Sequence, residues 1–80
     1  LFYGGLPDAS VDAAVAHLER AVALDPGDPN HVLELGFAYA AAGRAEDARR
    51  EWRRGLELPE RGKHDAAAKR RARDALERAG

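Results

Sequence analysis

Cysteine is absent from the 80 residues, so the chain can build neither a disulfide framework nor a thiolate metal site. Threonine is absent as well, and Ser10 is the single serine, which leaves hydroxyl nucleophiles scarce. Aromatic rings are few: Phe2, Tyr3, Phe37, Tyr39 and Trp52. Apolar residues make up 45% of the chain, but much of that share is alanine, so these rings must supply much of the bulky packing. No apolar run approaches the ~20 residues of a membrane-spanning helix, and no segment reads as a signal peptide. The chain opens on Leu1 and not on Met. It is therefore read as part of a longer protein whose targeting signals lie elsewhere, with a cytoplasmic setting as the default expectation.

Catalytic constellations are also missing. His17, His31 and His64 fall on different expected elements, and none has a second His or Cys at ligand spacing. Gly4-Gly5 has no phosphate-loop continuation, and Asp25 and Asp28 bracket a turn, where capping explains them. No catalytic residue, metal site or cofactor is expected.

What the chain does have is helical periodicity. Ser10 is placed to cap a helix whose stripe is Val11, Ala14, Val15, Leu18, Ala21 and Val22, ending near Leu24. Asp25-Pro26-Gly27 stops it, because proline cannot continue the hydrogen-bond ladder. Asp28 caps a second helix with Pro29 at its first position. That helix is apolar over a wide arc, which predicts neighbours on more than one flank, and Gly43 ends it. A third stripe, Ala45, Ala48, Trp52, Gly55 and Leu56, stops at Pro59. After the polar loop Glu60–His64, Asp65 caps a last helix through about Ala79. Its apolar side is Ala68, Ala72, Ala75, Leu76 and Ala79, and the opposite side carries Lys69, Arg70, Arg71, Arg73 and Arg78. Arg70 with Asp74, Arg73 with Glu77, and Asp74 with Arg78 are at pairing distance along it.

Two segments repeat. Ala14, Leu18, Ala21, Val22 and Leu24 align with Ala48, Trp52, Gly55, Leu56 and Leu58 at a constant offset of 34 positions. A helical repeat of that period predicts stacked hairpins, an architecture that builds binding surfaces. The expected fold class is all-α, with antiparallel helical neighbours. At Leu35-Gly36, Tyr39, Gly43, Ala48, Trp52 and Pro59 the chain resembles the tetratricopeptide repeat family, in both order and spacing. Gly36, Ala48 and Gly55 allow close helix contact in such a hairpin, and Tyr39 and Trp52 fill the gaps. The chain departs from the pattern at Val32, where the family has Trp, at Gly55, where it has Ala, and at Pro59, which comes one residue early. Lys69 stands where a further repeat would put Leu, so the last helix reads as a cap.

The resemblance implies a short right-handed solenoid. Residues 1–27 form a partial repeat, 28–60 a full repeat and 63–80 a capping helix. It also implies a groove for a peptide or protein segment at Asn30, Leu33, Glu34, Phe37 and Ala41, although Leu33 and Phe37 would equally suit packing between helices. The carboxylate clamp of some members is missing, since no Lys or Arg occurs between Arg20 and Arg44. A narrower likeness lies in Tyr3–Pro7 ahead of a helix, and in Leu56–Pro59 followed by a polar loop and an Ala/Arg-rich helix. These are similar to the C-terminal repeat region of the regulator of microtubule dynamics family and its bacterial relatives, and imply an adaptor-type role.

Charge supplies the competing surface. The net charge is −1, yet residues 1–47 carry eight acidic against two basic side chains, and residues 48–80 carry eleven basic against six acidic. Arg49, Arg50, Arg53 and Arg54 with Lys69, Arg70, Arg71 and Arg73 form a candidate docking face for an acidic protein, a membrane surface or nucleic acid. Trp52 sits on the core stripe and is not expected to be available for stacking on bases, which argues against nucleic acid. With fewer than three repeats, the N-terminal face around Leu1–Tyr3 is expected to be covered by self-association or by upstream chain. The leading expectation is a protein–protein interaction scaffold without catalysis.

Overall fold

The computed structural model describes residues 8–79, and every regular element in that span is helical: α1 (Asp8–Leu24), α2 (Pro29–Ala41), α3 (Ala45–Glu57) and α4 (Asp65–Ala79). The turn expected at Gly4–Pro7 and the face expected around Leu1–Tyr3 lie outside the described residues. Ser10 does not cap α1. Asp8–Leu24 is helical throughout the described residues, and Ser10 is an exposed residue inside that helix.

The other boundaries follow local chemistry. Asp28 has extended backbone angles and its carboxylate accepts from the Asn30 amide at 2.9 Å, while Pro29 occupies the first helical position. At the far end of α2, Gly43 takes φ 81°, a conformation that costs glycine nothing. That turn lets the Gly43 amide donate to the Ala40 carbonyl at 3.0 Å and the Arg44 amide to the Tyr39 carbonyl at 2.8 Å, closing the helix end. Asp65 opens α4, but its carboxylate does not cap it. The carboxylate turns back and accepts from the amides of Arg61 at 2.7 Å and Gly62 at 2.8 Å, so it orders the loop ahead of the helix.

α2 is the hub. It packs against α1, α3 and α4, as its broad apolar arc predicts. Partner order shows the direction of packing. Moving up α2 from Leu33 to Gly36, the neighbours on α3 move down from Gly55 to Trp52 and Ala48, so the two helices are antiparallel. Close approach is set by two glycines. A Cβ on Gly36 would lie 2.5 Å from the Trp52 ring, and one on Gly55 would lie 2.5 Å from Leu33. Val15, Leu18 and Val22 of α1, Val32, Leu33, Leu35 and Phe37–Tyr39 of α2, Ala48 and Trp52 of α3, and Ala68 and Ala72 of α4 form one continuous buried cluster. Trp52 is 5% exposed, and its ring meets Phe37 in a tilted arrangement at 5.1 Å between centroids.

Candidate interaction site

The expected groove residues separate into a floor and a rim. Leu33 is 0% and Phe37 2% exposed, so both belong to the floor and to the chain's own core. α4 contributes to that covering: the Arg71 guanidinium lies 4.5 Å from the Phe37 ring centroid and 3.2 Å from a Glu34 carboxylate oxygen. Asn30, Glu34 and Ala41 form a partly exposed rim. The five residues of the expected groove, for two of which (Leu33 and Phe37) packing between helices was the alternative, thus divide between a partly exposed edge and a covered interior. The reason is tertiary. Burial on the α4 side of α2 depends on where α4 lands, and the period within α2 carries no information about that.

The basic face is likewise divided. Lys69 is a correction: it is 8% exposed, and its ammonium donates to the Leu58 carbonyl at the end of α3. A cation there meets the negative end of the α3 dipole, which explains why a lysine occupies an inward position. Several arginines already hold carboxylates. Arg49 bonds Glu46 at 3.2 Å, Arg50 bonds Asp47 at 2.9 Å and Glu51 at 3.2 Å, and Arg54 lies 3.6 Å from Glu51. Arg53, Arg70 and Arg73 are exposed, with no carboxylate within ion-pair distance among the described residues. The pairs expected along α4 do not form there; Arg71 reaches across to α2 instead.

Four polar contacts tie α4 and its leading loop to the rest of the chain. Arg61 grips Asp25 of the α1–α2 turn with two bonds of 3.1 and 2.9 Å, and that hydrogen bonding holds the Asp25 carboxyl below its ordinary range. Asp65 is also held low, chiefly by the Arg61 and Gly62 amides. Lys69 reaches Leu58, and Arg71 reaches Glu34 and Phe37. None of these long-range pairs has a spacing signal in the sequence.

Elsewhere, polar side chains are taken up by helix contacts. The Tyr39 hydroxyl donates to Glu19 at 2.6 Å, joining α2 to α1, and burial with this carboxylate pushes the phenol up to about 12. Arg44 stacks over the Tyr39 ring at 4.4 Å. Glu51, 4% exposed, is a buried carboxylate that the sequence reading passed over, because its charged neighbours Arg50 and Arg54 made it look like part of a solvated face. A hollow of about 260 Å³ between the described start of α1 and the end of α2 is lined by Val11, Asp12, Ala41 and Ala42. Among the described residues no cluster of His, Asp and Glu could hold a metal ion. None of the described helices is long and apolar enough to cross a membrane.

Among the described residues the chain is all-α, with four helices that share one core and with α2 at its centre. The sequence model of the family described as regulator of microtubule dynamics protein 1-3 matches residues 1–80, and the chain belongs to that family. No curated protein and no solved structure matches it.

Proposed function

We propose that the chain is a protein–protein interaction module of the scaffold or adaptor kind, without catalytic activity, built as a short tetratricopeptide-like stack. Support comes from the interlocked α2–α3 pair, where Gly36 and Gly55 admit Trp52 and Leu33, together with the 34-residue offset that gives α1 the stripe of α3. The observation that carries the reading is the floor-and-rim division along α2: a partly exposed edge at Asn30, Glu34 and Ala41 borders a large apolar interior. The family's name points toward regulation of microtubule dynamics, and an adaptor serving such a process is the role we assign. A second reading, docking onto an acidic surface, is favoured by one specific feature, the exposed Arg53, Arg70 and Arg73, which have no carboxylate within ion-pair distance among the described residues.

The two readings separate experimentally. Partners captured by the intact protein are purified and titrated against an Asn30→Arg/Ala41→Arg variant and an Arg53→Ser/Arg70→Ser/Arg73→Ser variant. Groove binding predicts a loss of about tenfold or more, equal to about 1.4 kcal/mol, for the first variant. It predicts little change for the second, and little dependence on salt. Docking predicts the reverse, with a steep decline as salt rises. Binding that ignores both variants removes the proposed surfaces. Phe37→Ala, the obvious groove mutation, is a poor probe, because Phe37 packs on Trp52 and its loss destabilises the fold itself.

A further inference from the structure

We infer that α4 is a displaceable occupant of the α2–α3 face, and that this face, once vacated, takes a basic amphipathic helix from another protein. The inference deepens the proposed interaction role and rests on it.

Contact between α4 and the body is uneven in kind. The body offers large apolar side chains, with Leu33, Phe37 and Trp52 buried and Leu56 and Leu58 packed against them. α4 answers mainly with methyl groups, Ala68, Ala72 and Ala75, and with Leu76 at its edge. Alanine buries little area, so the hydrophobic gain per residue is small. Much of what fixes α4 in register is polar: Lys69 to the Leu58 carbonyl, Arg71 to Glu34 and Phe37, and Arg61 to Asp25. The Arg61–Asp25 and Arg71–Glu34 pairs lie at the surface, where water and salt compete with them. The segment that tethers α4 is the longest connection between the helices, running from Leu58 to His64, and residues 59–64 of it are exposed. A unit with few large apolar contacts, exposed polar ties and a long tether opens at lower free energy than the core it covers.

Chemistry at the vacated face defines the replacement. Glu34 would lose its cation and the Leu58 carbonyl its donor, while Phe37 would be uncovered. A competing helix therefore needs an alanine-sized apolar stripe and two cations two positions apart, matching Lys69 and Arg71. Acidic helices are excluded by Glu34. Association with such a segment follows from a shift in the open population of α4 and needs no other rearrangement.

The first test uses the unmodified chain. Native-state hydrogen exchange should show α4 amides opening separately from those of α2 and α3; exchange of all three at one common rate overturns the inference. The second test uses a fluorescent peptide of residues 63–79 as the probe. Arg71→Glu sets a like charge against Glu34 and weakens the resident helix, while the peptide keeps its arginine. Arg61→Ala releases the distant tie and serves if Arg71→Glu does not fold. Peptide affinity should rise about tenfold or more over the parent chain in either variant, and failure to bind any of the three overturns the inference. Dimers that the peptide disperses would assign the face to a second copy's α4 and overturn the choice of a foreign helix. Because the chain has no native cysteine, Glu34→Cys/Arg71→Cys can be bridged selectively with a short bismaleimide. A bridged chain that still binds its captured partner sinks this inference and leaves the interaction module standing.

Discussion

At the scale of single residues, two glycines decide how closely the central helices meet. In an exposed helix, replacing glycine with alanine gains about 1 kcal/mol. At Gly36 the added methyl would lie 2.5 Å from the indole ring and 3.2 Å from the Ala48 carbonyl, and overpacking of that kind costs about 1–3 kcal/mol. The second effect is the larger, because the contacts are a rigid ring and backbone, not the end of a flexible chain. Gly36→Ala is therefore expected to lower stability by about 1 kcal/mol net, measured by urea unfolding; a stabilised variant would show that the ring yields freely. Tyr39 acts at the same scale, as a buried ring whose hydroxyl reaches out to Glu19.

At the scale of elements, α4 differs from its neighbours in how it is held. Asp65 shows the difference. Its carboxyl is lowered in the fold, chiefly by the Arg61 and Gly62 amides, so the charged form is favoured more in the folded chain than in the unfolded one. The contribution is complete above the unfolded value, about pH 4, and is lost as pH falls through the lower folded value. Asp65→Asn should thus melt below the parent chain at neutral pH, with the gap closing in strong acid; a gap that stays constant with pH would exclude the carboxylate charge as the cause. How far α4 was legible can be said residue by residue. Its span was, because Ala68, Ala72 and Leu76 recur at helical steps. The inward turn of Lys69 was signalled only by the repeat register, which puts Leu there, and that signal was set aside because a lysine reads as solvent-facing until a carbonyl is brought within reach.

At the scale of the whole molecule, one core serves all four helices, and the charge asymmetry of the sequence becomes part of the fold. The acidic first half and basic second half are joined by Arg61–Asp25 and Arg71–Glu34, so some of that asymmetry is taken up in internal ion pairs. Trp52 packs on Phe37 and lies against the α2 backbone at Gly36, in the same buried cluster as residues of α1 and α4. Trp52→Ala should cost about 3–5 kcal/mol, a large part of the ~5–15 kcal/mol that small domains possess. The variant should lose its cooperative thermal transition or melt far below the parent chain. A negligible change would mean that the shared core does not depend on this ring.

The spans of α2, α3 and α4, the Asp28 cap and the Gly43 turn were determined by the sequence alone. Each depends on residues within a few positions of one another, where dihedral preference and side-chain period act directly. Only tertiary structure decided which faces stay open. Leu33 and Phe37 became a covered floor, and Arg71 and Lys69 became ties, through contacts between residues 11 to 37 positions apart. Such pairs depend on where one helix settles against another, a quantity that no local pattern encodes.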